Sequence, residues 1–541
     1  MNWNRLLLVF LSLNVSLLQA QAPNPPLFDA FRAAKIHEIG NATHSSILPL
    51  NPFDTLDTGG TIGELQDSLQ QKLRNESDFA NQKWLGRKLF NEHFIHIKGK
   101  DDNYSIILNP LMNLRLGRDD NWADKNPYQN TRGIQLMGSI GEKFIFYSDF
   151  WENQVRFPQY VQNFVDNSRV VPGQGTFKAF DQSEVKDFAY ANGHIAYQPS
   201  KYFNFQLGHG KHFLGDGYRS LLLSDNTFNY PYFRITAQFW KIKYWVLYSK
   251  MLDINNTYPD GTFFNKYMTA HYLSFNLTKR LNVGLFETII YGDETGTRGY
   301  DINYLNPIIF FRPVEFSLGS RGGNALLGLN LKYKLTNKLY AYGQVSLDEF
   351  KLTELRKNSG WWANKYGIQL GIKSFDTFVE GLTFQTEFNT VRPYTYSHLK
   401  EFQNYGHYNQ ALAHPLGSNF MESVTRISYQ KKRIFAEAAL MLATQGRDTL
   451  NSNWGTDIFI SYGEREQDYG NETLQGIQAT TLFADLKLGY VVNPSYNLRV
   501  ELGYTYRQFT PETELANLQS HTTNYMYIGL VTRLQNHYYD F

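Results

Sequence analysis

Cysteine is absent from the 541 residues, so neither a disulfide framework nor a thiolate metal site or nucleophile is available. Long apolar runs are missing as well. Past the first twenty residues no stretch approaches the ~18 apolar residues of a spanning helix, and mean hydropathy is −0.43. Charge of one sign is also lacking: 52 Lys and Arg stand against 50 Asp and Glu, which leaves no electrostatic case for a nucleic-acid partner. After residue 100 no linker or shift of composition divides the chain, although a soluble protein of this length would hold about three or four domains. Aromatic residues are plentiful at 16%, with 37 Tyr and 40 Phe. Many aromatics without long apolar runs suit a barrel whose outer face alone is apolar and whose rims carry aromatic girdles.

At the start, Arg5 precedes an apolar run from Leu6 to Leu18, and Ala20-Gln21-Ala22 supplies small residues for cleavage. This is the pattern of a secretory signal over residues 1–20, cut after Ala20. Export together with a barrel places the protein in the cell outer membrane, with membrane lipid as its first partner. Residues 21–100 read differently. Thr61-x-x-Glu64 has the form of a capping box, and Leu65, Leu69 and Leu73 follow at helical spacing. Phe79, Trp84, Leu85, Leu89 and Phe90 suggest a second helix. The expectation is a small helical unit that plugs the barrel or sits beneath it in the periplasm; a disordered leader is the alternative. The HSSILP stretch from His44 to Pro49 reads as ordered loop, its His and Ser structural rather than catalytic.

Residues 101–541 alternate with period two. Strands are expected near 103–115, 131–141, 143–151, 187–198, 201–209, 231–240, 242–251, 266–278 and 280–291. The second half adds 325–335, 338–348, 363–373, 381–391, 421–430, 432–444, 480–492, 496–507 and 521–534. Short connections such as Gly141-Glu142, Thr278-Lys279 and Asn493-Pro494-Ser495 alternate strictly with long ones, up to 445–479. Short turns inside and long loops outside are the habit of an up-and-down membrane barrel. Leu498, Val500, Leu502 and Tyr504 alternate with Arg499, Glu501, Gly503 and Thr505, and the charged set must face a wet lumen. Periodicity alone does not separate this from a soluble sandwich; the signal segment, the loop parity and Phe541 after a final amphipathic strand do. The fold class is therefore all-β: an antiparallel up-and-down transmembrane barrel of about 18 strands with a small N-terminal helical unit.

Three long loops carry unusual vocabulary: HGKHFLGDGYRSLLLSDN from His209, YDINYLNPIIFFRPVEFSLGSRGGN from Tyr300, and RPYTYSH through NYGHYNQALAHPLGSNF from Arg392. The apolar runs Leu221–Leu223 and Ile308–Phe311 must be buried somewhere, so all three loops are expected to fold inward over the lumen or pack together as a cap. The DGYRSLLLSD, YLNPIIFFRPVE and YGHYNQALAHPLGSNF stretches resemble the Wzi-type capsule-assembly barrels, and in particular their RemB-like gliding-motility branch. The resemblance runs over nearly the whole chain after the signal and includes HSSILP. It implies an outer-membrane barrel with an N-terminal helical element and a role in attaching surface polysaccharide or in surface motility, with surface or motility proteins as further partners.

The chemistry of the loops admits several readings. His209 and His212 with Asp216 have metal-ligand character, but the spacing is weak in a loop. The plain reading is that Asp216, Arg219 and Asp225 form ion pairs and hydrogen bonds that fix the fold. The functional reading is a sugar site: Arg219, Asp225 and Asn324 as planar polar groups beside the rings of Tyr218, Trp361 and Trp362. Ser220 with His209 and Asp216 would be needed for a hydrolase, yet no nucleophile-elbow context surrounds Ser220. No cofactor is implied. The expectation is a non-enzymatic barrel that binds or organises cell-surface polysaccharide; the alternative is a solute channel. A TonB-dependent transporter fits poorly, because those barrels have 22 strands.

Overall fold

The computed structural model describes residues 44–54, 61–75, 83–179, 184–308, 311, 313–314, 322–449 and 451–541. The expected signal segment, Phe79 and residues 309–310 lie outside the described residues. Among the described residues, eighteen antiparallel strands close into one barrel. In chain order these are β1 (Tyr104–Asp119), β2 (Tyr128–Ile140), β3 (Phe144–Arg156), β4 (Lys186–Ser200), β5 (Phe203–Gly210) and β6 (Tyr230–Phe239). They continue with β7 (Ile242–Thr257), β8 (Phe263–Asn276), β9 (Leu281–Asp293), β10 (Asn324–Thr336), β11 (Leu339–Glu349) and β12 (Lys365–Phe375). The last six are β13 (Leu382–Val391), β14 (Phe420–Lys431), β15 (Ile434–Arg447), β16 (Ile477–Asn493), β17 (Leu498–Pro511) and β18 (His521–Thr532). Each expected strand is present, and the longest extension carries β7 from 251 to Thr257. β18 closes on the upper part of β1, Tyr525 opposite Asp119 and Val531 opposite Asn113. Below it a short strand, Ile95–Lys98, takes the same edge of β1.

Burial alternates along the wall as the pattern requires. Leu502 is 55% exposed on the outer face, while its neighbour Glu501 is 1% exposed in the lumen. Leu486, Leu488, Leu327 and Leu331 share the outer face; Asn330, Lys332 and Arg499 share the inner one. An apolar outer band of this kind is what hydrocarbon selects, so the chain is an outer-membrane-type barrel.

The helical unit is α1 (Ile62–Asn75) and α2 (Trp84–Phe90). The capping box closes α1 as read: the Thr61 N–H donates to Glu64 Oε2 at 2.9 Å and the Glu64 N–H to Thr61 Oγ1 at 3.3 Å. Both helices dock at the inner rim, where Arg74 donates to Ser495 and Arg433 to Asn91. The stretch before them enters the barrel. His44 bonds Ser274, Ser45 bonds Asp216, and Asp54 pairs with Lys243. Ile47 pairs with Leu214, and Phe53 packs on Ile107, Ile145 and Tyr147. His44, Ser45 and Ser46 are thereby each bonded to the barrel's interior.

One of the three long loops departs from the expectation. On β8 and β9, Tyr267, His271, Ile289, Tyr291 and Glu287 have the register parity of the outward Leu273 and Leu285. They are nevertheless buried, because the segment after β9 lies against the outer wall. The Tyr300 hydroxyl meets Thr269, the Tyr248 hydroxyl donates to Leu305 O at 2.8 Å, and the Phe311 N–H donates to Glu287 Oε1 at 2.8 Å. The Phe311 ring stacks on His271 at 4.5 Å. The physical reason is the polar pair itself: His271 and Glu287 would otherwise meet hydrocarbon, and the strap shields them. The Ile308 end of that apolar run is exposed, not capping the lumen.

Candidate functional site

The lumen has two unlike halves. From β7 to β10 the inner face is apolar, with Trp245, Leu247, Met268, Tyr272, Phe286 and Leu326. The loop between β5 and β6 lays Leu221, Leu222 and Leu223 on this face, fully buried. Irregular backbone buried so deeply needs partners for its polar groups. Wall and loop side chains supply them. Gln344 Oε1 accepts from the Leu221 N–H, and the Tyr396 and Tyr405 hydroxyls donate to the carbonyls of Leu221 and Leu222. Glu387 accepts the N–H groups of Tyr218 and Arg219 at 2.8 and 2.9 Å. Gly217 is required there, since a Cβ would sit 2.8 Å from Glu387 Oε2 and from Arg219 O. The loop from Arg392 also turns inward, burying Leu412 and Ala413 in the same cluster.

The other half, from β14 to β18 and β1 to β4, is lined by charge. Arg115 pairs with Glu501 at 3.1 Å, Lys487 with Asp485 at 2.6 Å, and Arg533 with Glu437 at 2.6 Å. Here the chain does something the sequence reading missed. Past Thr532 it turns into the lumen, and residues 533–541 run up between wall and loops. Asn536 and the Tyr538 hydroxyl donate to Asp225, at 3.0 and 2.7 Å. Asp540 accepts from the Tyr218 hydroxyl at 2.5 Å and pairs with Arg219 at 3.2 Å. Phe541, read from sequence as a terminal aromatic after the last strand, packs on Phe164 at 4.4 Å, in the outer-loop helix α3 (Gln159–Ser168). A cavity of about 190 Å³ remains beside this segment.

Four of the six proposed sugar-binding residues are thereby committed to packing. Arg219 is 1% exposed, held by Glu422 at 2.9 Å and by Asp540. Burial alone would lower its pKa; the two carboxylates outweigh that and hold it charged well above the usual arginine range. Tyr218 and Asp225 belong to the same network, and Asn324 donates to Gln403 O at 3.1 Å. Beside Asp225, burial pushes Lys211 down to about 8. Ser220, His209 and Asp216 do not meet: Ser220 donates to Leu214 O, His209 faces Ala191 O, and Asp216 pairs with Lys332. Among the described residues no group of three or more His, Asp or Glu could hold a metal ion.

Trp361 and Trp362 stand apart, on the outer rim, half-buried and 6.1 Å from each other. Their loop is zipped to the one after β15: the Trp362 N–H donates to Asp468 O and the Asn471 N–H to Gly360 O. Gly360, at φ +63°, permits the approach, because a Cβ would come within 2.7 Å of Gly470 Cα. Around the two indoles lie residues that spacing could not have gathered. Tyr462 is 4.7 Å from Trp362, Arg465 lies 4.3 Å over the Trp362 ring, and Lys351 lies 5.1 Å over Trp361. The result is an aromatic shelf with cations at its edge.

No family model matches the chain, and no curated relative matches it. Among solved structures it is similar to Wzi of Escherichia coli, described as an outer-membrane protein involved in group 1 capsule assembly and a carbohydrate-binding β-barrel. Identity is 13% and TM-score 0.48, over 78% of this chain and 84% of that one. It is also similar to the outer-membrane protein OprD of Pseudomonas aeruginosa, at 11% identity and TM-score 0.42, over 83% and 99%. OpdK of the same organism, solved with vanillate, stands at 8% identity and TM-score 0.42, over 79% and 98%. At such identities function has to be argued from this chain's own residues.

Proposed function

We propose that this is a non-enzymatic outer-membrane barrel that binds or organises cell-surface polysaccharide at its outer face, as a Wzi-type protein of the RemB-like gliding branch would. One observation carries the reading: the lumen is occupied by loops and by residues 533–541, while the outer rim presents the Trp361, Trp362 and Tyr462 rings with Arg465 and Lys351 at their edge. Sugar rings offer C–H faces that stack on indoles and hydroxyls that accept from guanidinium and ammonium groups. Each cation also has a carboxylate partner, Asp468 for Arg465 and Glu354 for Lys351, so the shelf offers paired charges to a sugar's hydroxyls. The site moves from the buried Arg219 to this shelf.

The test is retention of purified surface polysaccharide by the detergent-solubilised barrel. Trp361→Ala and Trp362→Ala should each abolish retention while leaving the heat-modifiable band unchanged. Retention equal to the unmodified protein in both variants would remove the shelf from the reading. Capsule or gliding phenotypes of the same two variants in cells then separate a polysaccharide role from a motility role.

A further inference from the structure

We propose that the charged half of the lumen is a latent path for small hydrophilic anions, held shut by residues 533–541. The cavity beside this segment is bounded by Tyr128 and Pro158 near the outer loops and by Val531 and Thr532 near the inner end of β18. Beside β1 these bounds sit only three residues apart, opposite Leu116 and Asn113, so the cavity covers a short span of that wall and the strut itself carries the line to the inner turn. Nine extended residues reach at most roughly 30 Å, about the thickness of a bilayer core, so 533–541 can bridge the lumen from end to end. Its contacts show that it does. Arg533 is tied to Glu437 and Asn497 at the inner turn, Gln535 to Asp149 halfway, and Phe541 to α3 at the outer end.

The attachment has the character of a strut rather than a wall. The backbone joins a neighbouring backbone at Arg533, whose N–H donates to Asn497 O. Beyond that, side chains hold it: Asp225 accepts from Asn536 and Tyr538, Gln174 donates to Tyr539, and Arg219 and Tyr218 hold Asp540. None of the eighteen wall strands depends on these bonds for its ladder. The space beside the strut is lined by Arg115, Arg156, Arg426 and Lys487 against Asp485 and Glu501. The strut carries one charge of each sign there, Arg533 and Asp540, and its departure also bares its own partners, Arg219, Arg507 and Lys211 with Glu437, Asp149 and Asp225, so the cations lead the carboxylates by seven to five. Cationic walls around a narrow aqueous path focus a positive potential and favour anions. The apolar half takes no part, since Leu221–Leu223 and Leu412 fill it.

The experiment is single-channel recording in planar bilayers across a KCl gradient. The intact protein should show no steady conductance. Deletion of 533–541, checked for assembly by its heat-modifiable band, should show steady openings with a reversal potential on the chloride side, and adding Lys487→Glu should move that potential toward potassium. Should the deletion fail to assemble, Tyr538→Phe with Asp540→Asn keeps the segment and cuts its outer attachments, and should give intermittent openings of the same selectivity. An assembled variant as silent as the intact protein, openings that prefer potassium, or steady conductance before any change would each overturn the proposal.

Discussion

Leu502 and Glu501 are neighbours in β17 that meet opposite solvents, and this contrast was fully legible in the alternation. Leu502→Arg puts a charge against hydrocarbon at a cost of roughly 2–4 kcal/mol, and the assembled fraction in membranes should fall accordingly. Lys487→Gln, on the wet face and a quarter exposed, should cost no more than about 1 kcal/mol and accumulate as the parent does. What alternation could not show is who each inward charge touches. Glu501 reads as a harmless lumen residue, yet it accepts from Arg115 and from the Tyr527 hydroxyl at 3.0 Å. Arg219 is the sharper instance. It reads as a sugar ligand, because loops with Arg and Tyr are where sugars bind; its partners, Glu422 and Asp540, lie 203 and 321 residues away. Removing it strands two buried carboxylates, so Arg219→Ala should destabilise the folded barrel by about 3–5 kcal/mol, read as a lower temperature for loss of the compact band. Any loss of polysaccharide retention in that variant would report on folding. The shelf variants are free of this ambiguity.

Strands were legible because their signal is local: period two, with a turn at each end. Loops were not, since an apolar run states that it must be buried and says nothing about where. Leu221–Leu223 went inward, whereas the segment around Phe311 went outside. The clue lay in the strands, not in the loop. His271 and Glu287 occupy outward positions in β8 and β9 and break the apolar series there. Replacing both with Leu restores that series and removes the reason for the strap. Limited proteolysis between 295 and 308 should then become faster while the barrel band stays intact; an unchanged cleavage rate would show that the tyrosine contacts hold the strap unaided. The 533–541 strut gives a second element-scale expectation. His537 is buried against Tyr190 and Tyr539, faced by Lys211, Arg115 and Arg533, and burial first, then these cations, pushes it down to about 3. Between pH 6.5 and about 3 the unfolded chain binds a proton there that the folded chain does not. This contribution to stability is complete above that window and falls as pH drops through it. His537→Gln should flatten the acid side of a stability–pH curve measured on the heat-modifiable band.

At the scale of the whole molecule, closure comes from both ends of the described chain, and the two contributions differ in kind. The expectation from sequence was a helical unit that plugs the barrel or sits beneath it, with the apolar loops folded over the lumen or packed as a cap. The helices α1 and α2 sit at the inner rim, the second of these placements, and the chain that enters the lumen is the irregular stretch 44–54 ahead of them. A loop without periodicity offers no pattern to read, so this part of the plug was invisible except as the ordered look of HSSILP. Its bonds make it integral to the wall. Asp54 faces Lys243, which is buried, and Ser45 holds both Lys332 and Asp216. Removing residues 23–95 therefore does more than unblock an opening. It takes the Asp54 carboxylate from Lys243, and it strips the Ser274, Asn276 and Tyr272 side chains of their partners in the stretch His44–Ser46. Meanwhile Leu221–Leu223 still fill the apolar half and 533–541 still cross the charged one. The truncated protein should thus lose its compact band at a lower temperature than the intact one while conducting no better in a planar bilayer. A truncation that conducts freely at unchanged stability would mean that residues 44–54 are a detachable cork and that the strut closes nothing by itself.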